Sequence, residues 1–196
     1  MLQQHSPPPL KKTNAELRAR EYLFPHEVDQ LITTAKLLGR HGHRDATMIL
    51  IAYRHGLRVS ELVNLHWSQF DLKHGVFSVH RAKNGIDTTH PLTGLELRAL
   101  RKIEREYPET SYVFVTERNT PMTTSTFRKI VARAGKRAGF SFRVHPHMLR
   151  HATGFKLAND GHDTRAIQHY LGHKNIQHTV MYTQMSPERF KGFWKD

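Results

Sequence analysis

Histidine and arginine recur at helical spacing in the segment HPHMLRH, residues 145–151. On a helix, His147, Arg150 and His151 share one face at i, i+3 and i+4, and Met148 lies on the opposite face. A guanidinium group binds two phosphate oxygens at once, and an imidazole exchanges protons near neutral pH. The face therefore suits binding and activation of a phosphodiester. A solvated face of a basic protein is the alternative that this segment alone leaves open.

The same histidines, His147 and His151, also have the i, i+4 spacing of a zinc-binding pair. The glutamate of an HExxH motif is absent, however, and the chain contains no cysteine. A carboxylate cluster that would hold Mg²⁺ is also lacking. We therefore expect no metal and no other cofactor, and the residue types favour covalent phosphoryl transfer over a metal-dependent nuclease.

A second cation and a nucleophile complete this set of candidates. Arg58 follows Gly56-Leu57 at the predicted start of a helix, where the helix N-terminus also attracts anions, although pairing with Glu61 is an alternative. His173 follows a Leu-Gly pair, and Tyr182 follows His173. A free tyrosine has a pKa of about 10, so roughly one molecule in a thousand is ionised at pH 7. Attack by Tyr182 therefore needs nearby cations and a base, and a half-buried core tyrosine is the alternative.

These residues must be positioned by elements that the apolar pattern predicts to be mainly helical. Apolar residues recur at i, i+3, i+4 and i+7 in several segments, bounded by glycine or proline. Two β-rich segments flank Asn84-Gly85, a strong turn signal, and this places Lys83 at the tip of a hairpin. The predicted class is α+β, mainly α with a small antiparallel sheet. Predicted helices are 25–38, 44–54, 59–66, 95–107, a segment around 127–134, 146–159, 164–171, 177–183 and one after Pro187; predicted strands are 76–80 and 88–92, with a further short strand before them.

The charge of the chain indicates its partner. The 196 residues include 30 Lys and Arg against 17 Asp and Glu, which gives a formal net charge of +13 and a pI near 10.3. A domain this basic usually binds a polyanion, most often nucleic acid. The longest apolar run, residues 48–53, is too short to cross a bilayer, which needs roughly 20 residues. We expect a cytoplasmic, nucleoid-associated protein with no membrane contact.

The order and spacing of these motifs resemble the tyrosine recombinase, or phage integrase, family over residues 22–186. The ordered pattern is an arginine after Gly-Leu, a hairpin lysine, His-x-x-Arg, Leu-Gly-His and a tyrosine. Within the family, the resemblance narrows to the fimbrial phase-variation invertases, which invert a promoter-bearing DNA segment between inverted repeats. The segments that carry this narrower resemblance are 80–85, 88–92, 145–151 and 178–183.

The resemblance implies a role for each matched residue. Tyr182 would attack the scissile phosphate and form a 3′-phosphotyrosyl intermediate, while Arg58 and Arg150 would clamp the non-bridging oxygens. Lys83 would protonate the 5′-oxygen leaving group. His147 would act as the acid–base partner of the tyrosine. His173 would bond the phosphate or position the tyrosine, and Glu61 would support the first arginine. The candidates for binding DNA are Lys11, Lys12, Arg81, Arg143 and Lys174.

The resemblance also implies partners and a division of the chain. The partners are double-stranded DNA with inverted-repeat sites and three further copies of the chain in a synaptic homotetramer, with DNA-bending proteins as candidate accessory factors. The divisions are a flexible, basic, proline-rich arm (1–21), a catalytic domain (22–186) and a C-terminal tail (187–196). Aromatic residues in the tail favour burial, either in a neighbouring subunit or against its own core. A type IB topoisomerase and a non-catalytic DNA-binding protein are the alternative functions.

Overall fold

Eight α-helices and a three-stranded antiparallel sheet make up the fold of the computed structural model, which describes residues 20–82, 85–184 and 190. The predicted fold class is therefore confirmed. The helices are α1 (Pro25–Lys36), α2 (Gly42–Arg54), α3 (Val59–Val63), α4 (Gly94–Glu106), α5 (Thr124–Arg137), α6 (Pro146–Asn159), α7 (Thr164–Leu171) and α8 (Gln177–Gln184). The strands are β1 (Phe70–Asp71), β2 (Val76–Val79) and β3 (Thr88–Pro91), in the order β1-β2-β3.

Helix α2 lies at the centre of the core. Its residues 44–53 are all buried, and Met48, Ile49 and Ile51 have no exposed surface. A helix that is apolar nearly all round has to be covered on all sides, and α1, α4 and α6 pack against it. This arrangement brings the C-terminal end of α2, and Gly56 just beyond it, next to α6 and α7.

Helix α6 has the bounds that its sequence predicts. Pro146 occupies the first helical position, where its missing N–H costs nothing, and His145 is the extended N-cap residue. The expected polar face, however, is not solvated: Arg150, His151 and Gly154 are buried against neighbouring elements, while His147 is exposed. The helix therefore carries its arginine and one histidine inward, because α7 and α8 cover that face.

Helix α3 is shorter than predicted. It ends at Val63, whereas the apolar pattern predicted a helix to residue 66. The backbone N–H of Val113 donates to the carbonyl of Leu65 at 2.9 Å, so this segment pairs with a distant part of the chain instead of continuing the helix. A one-turn 3-10 helix, Trp67–Gln69, then leads into β1.

The hairpin of β2 and β3 is held against the end of α7 by a close backbone approach. Gly172 ends α7 with a φ of +64°, a conformation that favours glycine. A Cβ atom on Gly172 would lie 2.5 Å from Cγ of Arg81 and 2.8 Å from the carbonyl oxygen of Ile86. Position 172 therefore requires glycine for two reasons: its positive φ at the end of α7, and its close approach to Arg81 and Ile86.

Several predicted features lie outside the described residues. These are residues 1–19 of the predicted arm, with Lys11 and Lys12, the hairpin residue Lys83, and the predicted tail apart from Phe190. Within the described ranges, no helix has the length and apolar character needed to span a membrane.

Candidate active site

Arg58 and Glu61 form one side of the candidate site at the start of α3. The Arg58 backbone N–H donates to Oε2 of Glu61 at 2.8 Å, and its Nη1 donates to Oε1 at 2.6 Å. Arg58 therefore lies at the start of a helix, as predicted, and it is also paired with Glu61, the alternative that the sequence left open. The Arg58 side chain keeps 26% of its surface exposed, so it can reach a ligand while it is paired.

Glu61 connects this helix to the end of β2. Its carboxylate, 2% exposed, also accepts from Nη1 of Arg81 at 3.1 Å and from the backbone N–H of Ala82 at 3.0 Å. Burial raises the pKa of Glu61, but the hydrogen bonds from Arg58 and the charge of Arg81 outweigh burial and hold the pKa below its usual 4.5. An ionised Glu61 therefore anchors the chain one residue before Lys83.

Arg81 is buried, which corrects its predicted role as a DNA contact. Its side chain has no exposed surface, and its Nη2 donates to the carbonyl oxygens of His55 at 3.0 Å and Tyr170 at 2.5 Å. The sequence showed a cation near a hairpin tip, but β2 directs this guanidinium inward. We interpret Arg81 as a structural tie between α2, α7 and the hairpin.

Arg150 occupies the floor of the same region. Its Nη1 donates to the carbonyl of Gly56, and its Nη2 donates to the carbonyl of Leu171 at 2.7 Å. Burial, with the nearby charges of Arg58 and Arg81, lowers the pKa of Arg150 to about 9, so it stays cationic at neutral pH. Arg58, Arg81, Arg150 and Glu61 together are called the arginine cluster below, and their excess positive charge suits a phosphate.

His173 lies beside the arginine cluster as a neutral imidazole. Burial and the charges of Arg150 and Arg58 lower its pKa to about 3. Its Nδ1 is 2.8 Å from Oγ1 of Thr179, and its backbone carbonyl accepts from Nε2 of Gln168 at 3.0 Å. At neutral pH His173 can therefore donate one hydrogen bond to a ligand without bringing a charge.

Tyr182 is 2% exposed and lies in a pocket against α6, called the tyrosine pocket below. Its Oη is 2.9 Å from Nδ1 of His151, and its ring is stacked near the ring of His173 with centroids 6.4 Å apart. Burial raises the pKa of Tyr182 to about 12, although the charge of Arg150 acts in the opposite direction. The pocket residues are His151, Gly154, Phe155 and His173.

The histidine at the tyrosine hydroxyl is one to which the sequence assigned no catalytic role. His147 is exposed, and its ring meets the ring of His151 edge to face with centroids 4.3 Å apart. The sequence did place His151 on the same helical face as His147 and Arg150. This shared face could have indicated a role for His151. Which of the two histidines contacts Tyr182, however, depends on where α8 packs against α6.

Two of the remaining DNA-binding candidates are at the surface. Arg143 precedes α6 and Lys174 follows His173, and both are exposed. Their positions allow contact with a DNA backbone, so they remain candidates. Lys11, Lys12 and Lys83 lie outside the part of the chain that the structure describes.

Comparison with known proteins matches residues 21–189 to the model of the phage integrase family. The type 1 fimbriae regulatory protein FimB of Escherichia coli K12 is 42% identical over 188 residues, covering 93% of this chain and 94% of that protein. The type 1 fimbriae regulatory protein FimE of the same strain is 43% identical over 182 residues, covering 90% and 91%.

Solved recombinase structures share the fold. The crystal structure of XerA recombinase superposes with a TM-score of 0.78 at 27% identity, covering 91% of this chain and 67% of XerA. The XerH site-specific recombinase bound to a palindromic difH substrate, a post-cleavage complex, gives a TM-score of 0.75 at 23% identity. That match covers 91% of this chain and 54% of XerH.

These matches favour a recombinase over a topoisomerase or a non-catalytic DNA-binding protein. The family model covers most of the chain, and relatives above 40% identity cover nine tenths of it. The predicted resemblance to this family is confirmed. The chain therefore belongs to the phage integrase family and is a tyrosine site-specific recombinase, a DNA strand transferase.

Proposed function

We propose that this recombinase inverts a DNA segment between inverted repeats through a covalent intermediate on Tyr182, and so switches the expression of adjacent genes. The observation that carries the chemistry is the packing of Tyr182 and His173 beside the buried cation Arg150. Inversion is supported by relatives named as fimbrial regulatory proteins, which match nine tenths of the chain.

The arginine cluster would bind the scissile phosphate. Arg58 at the rim and Arg150 at the floor donate to non-bridging oxygens, where negative charge grows as phosphorus becomes five-coordinate. His173, being neutral, adds one hydrogen bond. Losing one such donor costs about 2.7–4 kcal/mol in the barrier. The bound phosphate would thus be held by groups that are already in place before the reaction.

Tyr182 would then attack the phosphate. The Oη–P bond forms and the P–O5′ bond breaks, and we assign protonation of the departing 5′-oxygen to Lys83. The 3′-phosphotyrosyl bond retains the energy of the phosphodiester, so a 5′-hydroxyl of the partner duplex can displace Tyr182 without ATP. Inversion exchanges both strands at two sites, which requires four tyrosines, and we propose a homotetramer on DNA for this reason.

The outer segments are assigned to assembly. We propose that residues 1–21, with Lys11 and Lys12, form a basic arm that follows the DNA backbone, that residues 22–186 form the catalytic domain, and that residues 187–196 dock on a neighbouring subunit. Arg143 and Lys174 would contact phosphates, and DNA-bending proteins would assist synapsis. Binding to chromosomal DNA would place the protein at the nucleoid, in the cytoplasm.

Covalent capture tests this function. Wild-type protein and Tyr182→Phe are expressed in the native host and denatured in SDS, and the DNA attached to the protein is sequenced. We expect DNA ending at paired inverted repeats from the wild type alone, with equal DNA binding by both proteins and no effect of EDTA. Attached DNA from Tyr182→Phe would contradict the assignment of the nucleophile. Relaxation of supercoiled plasmid without sequence preference would instead support a topoisomerase.

A further inference from the structure

The tyrosine hydroxyl contacts one specific imidazole. Nδ1 of His151 lies 2.9 Å from Oη of Tyr182, and both side chains are buried. On the far side of the ring, Nε2 of His151 lies 3.8 Å from Oε2 of Glu21, in the segment that leads into α1. Three elements of the chain thus align a carboxylate, an imidazole and a phenol.

This alignment determines which way a proton can move. For Nδ1 to accept from the phenol, the hydrogen of the neutral ring must be on Nε2, the nitrogen that faces Glu21. A carboxylate on that side favours this tautomer and stabilises the imidazolium that forms when Nδ1 takes a second proton. The geometry is that of a nucleophile, a base and a group that orients the base.

The shape of α6 supports the same assignment. Gly154 lies in the middle of this helix, where glycine is unfavourable for helix stability. A Cβ atom at that position would lie 2.6 Å from Cε2 of Tyr182 and 2.7 Å from its Cζ. The absence of a side chain at Gly154 leaves a notch in α6 that receives the ring of Tyr182. The Oη atom then lies beside His151, one helical turn before Gly154.

We infer that His151 is a further catalytic residue of this recombinase, the base that accepts the phenolic proton of Tyr182, and that Glu21 is its positioning residue. The inference rests on the proposed role of Tyr182 as nucleophile. As the Oη–P bond forms, the proton passes from Oη to Nδ1 of His151, and the electron pair of the P–O5′ bond leaves with the 5′-oxygen. On rejoining, the 5′-hydroxyl gives its proton to the amine of Lys83 and attacks phosphorus. The P–O5′ bond forms, the Oη–P bond breaks, and Tyr182 recovers its proton from His151.

The neighbouring histidines fit this role less well. The exposed His147 meets His151 edge to face, and Nδ1 of His173 is engaged with Thr179. The ring of His173 lies parallel to that of Tyr182 with centroids 6.4 Å apart, an arrangement that suits packing. Removing a proton from a phenol whose pKa is raised to about 12 requires a base at hydrogen-bond distance, and His151 meets that condition.

The test is single-turnover cleavage by the full chain, on a nicked suicide substrate built from the repeats found by covalent capture. His151→Asn keeps an amide near the position of Nδ1, so the hydrogen bond to Tyr182 can persist, but the amide cannot accept a proton. We expect covalent complex to form at least about 100-fold more slowly, with unchanged DNA binding and thermal midpoint. His151→Ala should be slow as well, and added imidazole should restore part of its rate. His162→Asn, at an exposed histidine, is the matched control.

A substrate with sulphur in place of the bridging 5′-oxygen separates the base from the acid. A thiolate leaves without being protonated, so a defect in the leaving-group acid disappears on this substrate. We expect His151→Asn to remain slow on it, whereas Lys83→Ala should recover. Recovery of His151→Asn would overturn the inference, because His151 would then serve the leaving group.

The role of Glu21 is tested by the pH–rate profile. The groups around His151 are Glu21 before α1, Tyr182 on α8, and His147 and Arg150 on its own helix. A base must be neutral to accept a proton, and the carboxylate of Glu21 favours the charged ring. Glu21→Gln should therefore shift the midpoint of the rising limb to lower pH, a change that a purely structural role would not produce.

The outcomes separate the inference from the proposed function. If wild type forms no covalent complex, or Tyr182→Phe forms one, the proposed function fails and the inference fails with it. If Tyr182→Phe is inactive but His151→Asn cleaves at the wild-type rate, the function stands and the inference is wrong. Faster cleavage by His151→Asn would also overturn it, because His151 would then restrain the tyrosine.

Discussion

The arginine cluster and the tyrosine pocket are built in different ways, although they lie side by side. In the arginine cluster, hydrogen bonds connect Arg81 and Arg150 each to at least two other segments of the chain, and Glu61 joins Arg58 to the segment after β2. In the tyrosine pocket, Tyr182 is held by the hydrogen bond between its hydroxyl and His151 and by the fit of its ring against Gly154. The half that we propose to bind phosphate is thus preorganised by charge, and the half that carries the proposed nucleophile is positioned by packing.

This difference suits the proposed reaction, in which the phosphate stays bound while the attacking group is first Tyr182 and then a 5′-hydroxyl. Cations that stabilise a transition state are most effective when they do not have to reorganise. A tyrosine that must bond to phosphorus and later release it has to leave and re-enter its place. Tyr182 lies on the eight-residue helix α8.

Glu61→Ala should break the arginine cluster and produce the largest effect. It removes the carboxylate that pairs with Arg58 and Arg81 and leaves buried cations facing each other. We expect the free energy of unfolding to fall by about 3–5 kcal/mol, measured by urea denaturation. The exposed pair Lys156–Asp160 provides the control, since Asp160→Ala should cost less than about 1 kcal/mol. Equal losses in the two variants would contradict the preorganised cluster.

Arg58→Ala should separate binding of the phosphate from stability. Arg58 lies at the rim, and Glu61 keeps Arg81 as a partner in its absence. We expect cleavage to slow by about 100- to 1000-fold, or 2.7–4 kcal/mol in the barrier, with a small change in stability. Single-turnover rates of the variant and of Arg105→Ala, an exposed arginine on α4, make the comparison. A wild-type rate for Arg58→Ala would remove it from the site.

Gly154→Ala tests the packing that positions Tyr182, the proposed nucleophile. The new methyl group would overlap the ring of Tyr182, so the ring has to move out of its notch. We expect a stability loss of about 1–3 kcal/mol, the usual cost of overpacking, and slower covalent complex formation. Gly94→Ala, at the start of α4, meets only the end of the Arg98 side chain and is the control. If Gly154→Ala cleaves like Gly94→Ala, ring fit does not position Tyr182.

The pH dependence of stability tests two buried neutral histidines, His173 in the tyrosine pocket and His90 on β3. Burial lowers the pKa of His173 and of His90 to about 3, so each stays neutral in the folded protein while it ionises near pH 6.5 when unfolded. The unfolded state therefore binds more protons, and the free energy of unfolding should fall from pH 6.5 towards pH 3. The expected slope is up to about 1.4 kcal/mol per pH unit for each histidine. His90→Asn should reduce that slope in urea titrations, whereas His162→Asn should not.

Local signals predicted much of the fold. Pro146 and Gly172 mark the start of α6 and the end of α7 because each has a backbone preference that acts within a few residues. The apolar pattern of residues 48–52 predicted a central α2 for the same local reason. The end of α3 was predicted wrongly, because the competing partner of Leu65 is Val113, which is distant in sequence.

The sequence by itself determined the chemistry available to this protein: its helical elements, its strong positive charge and an ordered set of residues that resembles the recombinase family, namely Arg58, Lys83, His147, Arg150, His173 and Tyr182. Those features depend on residue type and on spacing along the chain, both of which are local. Only the tertiary structure decided that Arg81 is buried and that His151 meets the tyrosine hydroxyl. Burial and partnership arise where distant segments pack, as Arg81 after β2 does against α7 and as α8 does against α6, and no local pattern specifies those contacts.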